Sequence, residues 1–206
     1  MRKEKFFEGE YYHVYNRGVD RREIFLDDRD RQRFVHTLYV SNCFTHIPPH
    51  FNFHDLQPRD LLEKREEPLV QIVAGCLMPN HFHLVVSPTS EKGLSHFLHN
   101  VGVSYSMYFN KKRERTGRLF ESTFKAKHID SDTYAEYIAR YIHLNPHGLP
   151  GIQSNASLES YLWSSLPDYC GRKGNFSLVL DISFRDKILG MSADEYRKFF
   201  LSIIPD

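Results

Sequence analysis

The chain has 206 residues, 41% of them hydrophobic and 14% aromatic, enough for one compact domain with an appended segment and too much for wholesale disorder. A net charge of +1 exerts no global pull on a polyanion, and no apolar run approaches the length needed to cross a bilayer. Three scattered cysteines, Cys43, Cys76 and Cys170, argue against both a disulfide framework and a thiolate zinc site.

Residues Glu10 to Arg17 alternate Tyr11, His13 and Tyr15 against Tyr12, Val14 and Asn16, a strand pattern closed by Gly18. From Asp28 to about Asn42, Phe34 and Leu38, with Val35 and Tyr39, recur at helical spacing behind an acidic first turn. His46 to Glu67 is rich in proline, histidine and charge and reads as a long loop or insertion, about 45–67. Its His46, His50 and His54 are four apart, but Pro48 and Pro49 forbid the regular helix that would gather them around a metal.

Leu69 to Met78 is an almost continuously apolar strand, and after Pro79-Asn80 a second strand runs from His81 to Val86, so the two suggest a hairpin. Gly93 to about Asn110 is helical, a basic turn occupies Lys111 to Gly117, and a strand is expected from Leu119 to Ile129. Thr133 to about Leu144 is a further helix, with Thr133 and Glu136 read as a capping box and Pro146 ending it by disfavouring helical geometry at Asn145. A Gly/Pro-rich link, Gly148 to Gly151, leads into an accessory region whose last helix starts at a second capping box, Ser192 and Glu195. This order predicts an α+β fold, helices packed on an antiparallel sheet.

Charge is unevenly placed. Between Lys111 and Lys127, seven basic residues stand against Glu114 and Glu121, a local excess of +5. A solvated face explains such a run as well as a phosphate-binding surface does.

His81 and His83 lie two apart in a strand, so both rings point to one face and can converge on an ion. Twelve histidines in a chain this long give about one His-x-His pair by chance, so two satisfied histidines are the bland alternative. Tyr137, Tyr141 and Asn145 are four apart and line one helical stripe, with Tyr134 close by and Arg140 and His143 flanking. A core aromatic stripe is the bland reading there. The chemical reading joins the two features: a phenol can attack phosphorus, and an amide oxygen can stand beside two imidazoles as a hard metal ligand. An ordinary phenol, with a pKa of about 10, needs a metal or a base to ionise at neutral pH.

Five ordered blocks are similar to the HUH superfamily of single-tyrosine transposases, in the REP-associated tyrosine transposase branch. They are Tyr12-His13-Val14 with Asn16-Arg17-Gly18 and Ile24-Phe25; Met78-Pro79-Asn80-His81-Phe82-His83-Leu84; Gly117-Arg118-Leu119-Phe120; Arg140 to Pro146; and Tyr161-Leu162-Trp163-Ser164-Ser165. The resemblance implies a ferredoxin-like antiparallel sheet with packed helices, a catalytic domain over 1–147 and a small C-terminal accessory region over 148–206. It implies that His81 and His83 bind Mg²⁺ or Mn²⁺ with Asn145 as third ligand, and that Tyr141 is the nucleophile forming a 5′-phosphotyrosine. The implied partner is single-stranded or hairpin DNA from a palindromic repeat. Arg17, Arg113, Arg115, Arg118, Lys125 and Lys127 then become candidates for phosphate contacts; Phe120 and Phe124 are open equally to stacking on unpaired bases and to a place in the core.

Two rival readings stay open: a zinc-type hydrolase using bound water, and a domesticated, non-catalytic binder of DNA hairpins. A homodimer is also left open, since Tyr141 could serve its own chain or a partner's. Trp163-Ser164-Ser165 reads as packing between the accessory region and the core rather than as a catalytic serine pair. The first five residues lead into mixed polar and aromatic sequence, so no membrane association and a cytoplasmic location are expected.

Overall fold

Alternation along two central strands decides which layer each side chain joins. The computed structural model describes residues 5–43 and 68–202; the expected insertion, with His46, His50 and His54, lies outside the described residues. Strands β1 (Tyr11–Arg17), β2 (Val70–Met78), β3 (His81–Pro88) and β4 (Lys125–Ile129) form one antiparallel sheet in the order β2-β3-β1-β4. With helices α1 (Asp28–Val40) and α2 (Gly93–Lys112) between them, the chain order is βαββαβ, the ferredoxin-like arrangement. The expected β2–β3 hairpin forms, turning at Pro79-Asn80 with Met78 opposite His81.

One face of the sheet presents Tyr12, Val14, Phe82, Leu84 and Val86 to Phe34, Leu38, Phe97, Val101 and Tyr105 of α1 and α2, all buried. The other presents Val73, Ala74, Cys76 and Val85 to α3 (Asp132–Leu144) and the C-terminal region. That region contains α4 (Asn155–Glu159), α5 (Leu166–Tyr169) and α6 (Ala193–Leu201). It also covers the outer edge of β2: Leu77 N–H donates to Trp163 C=O, Ser165 N–H to Gly75 C=O, and Asp181 N–H to Ile72 C=O, at 2.7 to 2.8 Å. A Cβ on Gly75 would sit 2.3 Å from the Phe176 ring, so only glycine admits this close approach.

Local boundaries differ from expectation in four places. Lys111 and Lys112 belong to α2 rather than to the basic turn. The last strand is only Lys125–Ile129, because Leu119 and Phe120 turn into the core. Ser131, not Thr133, caps α3, its hydroxyl accepting from Tyr134 N–H. Asn145 stays helical, at φ −49° and ψ −41°, despite the following Pro146, and a single 3₁₀ turn, Asn145–Gly148, follows. The capping box at Ser192 and Glu195 forms as expected.

Candidate active site

The β1–β3 register sets Tyr15 opposite His83 and Arg17 opposite His81. His81 and His83 share the sheet face that α3 covers, with ring centroids 5.0 Å apart and planes at 88°. Each ring has its Nδ1 occupied: His83 Nδ1 shares a hydrogen bond of 2.8 Å with His13 Nε2, and His81 Nδ1 is 2.6 Å from Asn80 Oδ1. Nε2 is therefore the nitrogen each ring can turn towards a ligand, and the partner on Nδ1 fixes ring orientation.

Burial keeps these rings neutral. It lowers the His83 pKa to about 2, assisted by the neighbouring His13, His81 and Arg17 charges, and the His13 pKa to about 4, assisted by Lys127. His81 is also lowered, by burial and then by Arg17, although a hydrogen bond that the ring donates to the Asn145 side chain works in the opposite sense. Neutral imidazoles are the form that coordinates metal ions.

Helix α3 buries Ala135, Ile138, Ala139 and Ile142 against the sheet, which leaves the Tyr137–Tyr141–Asn145 stripe along its open side. The Tyr141 ring lies edge-on to His83, centroids 5.4 Å apart at 88°, and 6.1 Å from His13, while remaining 39% exposed. Asn145 Nδ2 donates 2.7 Å to the Tyr141 carbonyl, which holds the amide over the last turn with its side chain also bonded to His81. The structure thus brings His81, His83, Tyr141 and Asn145 together within one chain. Among the described residues no three His, Cys, Asp or Glu side chains gather as a metal cluster; the third donor on offer is an amide.

His143 flanks Tyr141 in sequence but points the other way. It is fully buried, shares hydrogen bonds with Tyr196 Oη (2.7 Å) and Ser165 Oγ (2.8 Å), and has its pKa lowered to about 3 by burial. Ser165 also accepts from Gly75 N–H, in keeping with a packing role for the Trp163-Ser164-Ser165 segment.

The basic candidates separate into two groups. Arg113 is bound to Asp27 and Asp30 at 3.4 and 3.0 Å, Arg115 to Asn110 and the Arg118 carbonyl, and Arg118 to the Glu121 carbonyl. Lys125 and Lys127, exposed on β4, place their ammonium groups over aromatic rings, 5.8 Å from Tyr15 and 4.3 Å from Tyr134. Arg17 is exposed close enough to lower the pKa of both histidines. Phe120 is buried and Phe124 packs on the core beside Phe6, so neither offers a face for stacking. His13 belongs to the cluster although its segment, singled out only by the family resemblance, assigned it no role there.

Residues 59–145 match the family described as "Transposase IS200 like", a segment containing His81, His83, Tyr141 and Asn145. Over that segment the chain is similar to the IS200-like transposases. Among solved structures, the fold is similar to a REP-associated tyrosine transposase bound to a REP hairpin: TM-score 0.54 and 12% identity, over 88% of this chain and 92% of that one. At that identity the likeness speaks for the fold. No curated protein matches the chain. Among the described residues no helix is long and apolar enough to cross a membrane.

Proposed function

We propose that the chain is a single-stranded DNA endonuclease and strand transferase acting through Tyr141. The observation carrying this reading is the packing of the Tyr141 ring against His83 in the same chain, with Asn145 bonded to His81 on the next turn. Residues 1–147 form the catalytic unit in this reading and 148–206 the accessory region that supports it.

The donor set suits a hard divalent ion: two neutral imidazoles and one amide oxygen. His81, His83 and Asn145 would hold it. When bound, Mg²⁺ or Mn²⁺ polarises a non-bridging phosphate oxygen and stabilises the charge on five-coordinate phosphorus. The Tyr141 phenolic oxygen bonds to phosphorus as the bond to the 3′ oxygen breaks. The phenol loses its proton, the departing oxygen ends as a 3′-hydroxyl, and the 5′ phosphate stays on the protein. Because one phosphodiester replaces another, a later attack by a 3′-hydroxyl restores a DNA strand without ATP.

Arg17, Lys125 and Lys127 border this site and are the basic residues best placed to hold the flanking phosphates. The hairpin bound by the similar structure suggests DNA hairpins with unpaired flanks as the substrate. A dimer is not needed to complete the site, since Tyr141 and the histidines belong to one chain.

The test is incubation of the protein with a pool of end-labelled hairpin oligonucleotides and Mn²⁺, followed by a denaturing gel and peptide mapping. Label attached to Tyr141, and lost in Tyr141→Phe, is the expected result. Continued cleavage by Tyr141→Phe would mean a water-based hydrolase, binding without any adduct would mean a non-catalytic hairpin binder, and label on Tyr137 would move the nucleophile by one turn.

A further inference from the structure

Three tyrosines run along the open side of α3. Tyr134 and Tyr137 have ring centroids 6.0 Å apart and planes within 17°; Tyr137 and Tyr141 are 6.1 Å apart and within 15°. Tyr137 is 55% exposed and Tyr141 39%, while Tyr134 is half-buried with one side against the core that Ala135, Ile138, Ala139 and Ile142 join, so the row is open to solvent along Tyr137 and Tyr141 and anchored at Tyr134. Lys127 Nζ lies 4.3 Å over the Tyr134 ring, and Lys125 is two residues away on the same strand. An exposed row of nearly parallel rings, rimmed by ammonium groups and continuous with Tyr141, combines the two features that hold single strands. The π-faces take bases of any sequence, and the cations take the backbone.

We propose that Tyr134 and Tyr137 form a stacking platform for the unpaired nucleotides next to the scissile phosphate, with Lys127 neutralising the backbone beside them. The occupant is single-stranded DNA rather than an apolar protein surface, because the row carries phenols and a lysine and no aliphatic side chain. The platform starts at the nucleophile and ends at the first turn of α3, where exposed Asp132 opposes further phosphates. Its placement beside the cleaved bond rests on the function proposed for Tyr141; its affinity for bases does not.

The test uses a short fluorescein-labelled oligothymidylate and the corresponding abasic sugar-phosphate chain, with anisotropy read in EDTA so that nothing is cleaved. Tyr137→Leu should weaken oligothymidylate binding about tenfold, and Tyr137→Phe should stay within about twofold of the unsubstituted protein. Binding of the abasic chain should be the same in all three. Equal affinity of Tyr137→Leu and the unsubstituted protein for oligothymidylate, or an equal loss on the abasic chain, would overturn the platform. A second measurement needs no variant: an oligothymidylate carrying 5-iodouracil, irradiated on the unsubstituted protein, should cross-link to the peptide holding Tyr134 and Tyr137, and cross-links confined to other segments would refute it. Base-dependent binding without a Tyr141 adduct would keep the platform and remove the nuclease, whereas an adduct without base dependence would do the reverse.

Discussion

His13 governs which nitrogen His83 can offer. Both rings are neutral, and one proton lies between His13 Nε2 and His83 Nδ1. When His83 donates from Nδ1, its Nε2 lone pair faces outward; without an acceptor at position 13, the proton can move to Nε2 and the ring can turn. His13→Leu should therefore weaken Mn²⁺ binding about ten- to a hundredfold, the usual effect of losing a partner behind a ligating histidine. His13→Gln, whose amide oxygen can accept the same proton, should recover much of that loss. Titration of Mn²⁺ followed by electron paramagnetic resonance reads both variants, and an unchanged affinity in His13→Leu would remove His13 from the site. The other members were legible in the sequence because their spacing is local: the histidines are two positions apart on one strand, and Tyr141 and Asn145 four apart on one helix. His13 meets His83 across seventy positions of sequence, and only the pairing of β1 with β3 reveals it. Position in sequence works in the opposite sense at His143, two residues from Tyr141 yet turned to the interior, and of the two places open to Phe120 and Phe124 the structure gives them the core.

At the scale of elements, the first two helices are joined by an ion cluster that the sequence did not announce. Asp30 on α1 is fully buried and accepts from Lys112 at 2.6 Å, Arg113 at 3.0 Å and the Tyr108 hydroxyl at 3.0 Å. Burial alone would raise its pKa, but the hydrogen bonds from Lys112, the Leu26 amide and Arg113 outweigh it and hold the carboxyl below its ordinary value. The unfolded chain thus takes up a proton near pH 4 that the folded chain refuses. The cluster's stabilisation is complete above that pH and is lost as the pH falls through the lower, folded value. Asp30→Asn should cost about 3 kcal/mol at pH 7, because it leaves Lys112 and Arg113 facing a neutral group. The gap between the two proteins in urea unfolding should narrow at about pH 3 and below. An equal gap at pH 7 and in acid would show that packing, not charge, holds α1 to α2. The same cluster explains why Arg113, which the family resemblance made a candidate for phosphate contact, is engaged within the protein. The end of the sheet has a similar cause. Asn16 Nδ2 donates to the Ser122 and Thr123 carbonyls, and Glu121 N–H to the Arg17 carbonyl. This loop is wrapped onto the end of β1, and regular pairing of β4 resumes only at Lys125, whereas residue propensities alone read 119–129 as one strand.

For the whole molecule, the C-terminal region acts on the site from below. Its segments bond the free edge of β2, and Tyr196 and Ser165 hold His143 beneath the helix that carries Tyr141. Burial raises the Tyr196 phenol well above its usual pKa and keeps His143 neutral, so the contact is a hydrogen bond between uncharged groups. Such a pair stabilises modestly, yet leaving one buried partner unsatisfied costs more, about 1–3 kcal/mol. Tyr196→Phe should lower stability by that amount while Mn²⁺ binding to the folded protein is kept, since no ligand is touched. Gly75→Ala probes the same support from the sheet: the added methyl would stand 2.3 Å from a carbon of Phe176, and the ring is held in the core with nowhere to retreat. It should cost about 1–3 kcal/mol by overpacking, read as a lower Tm. It should also make the chain beyond residue 148 more readily cut by protease than the sheet, because the strain falls on the docked segment and not on the ladder. If Gly75→Ala melts and resists cleavage like the unsubstituted protein, the C-terminal region does not rest on β2 in solution, and α3 must be positioned by its apolar stripe alone.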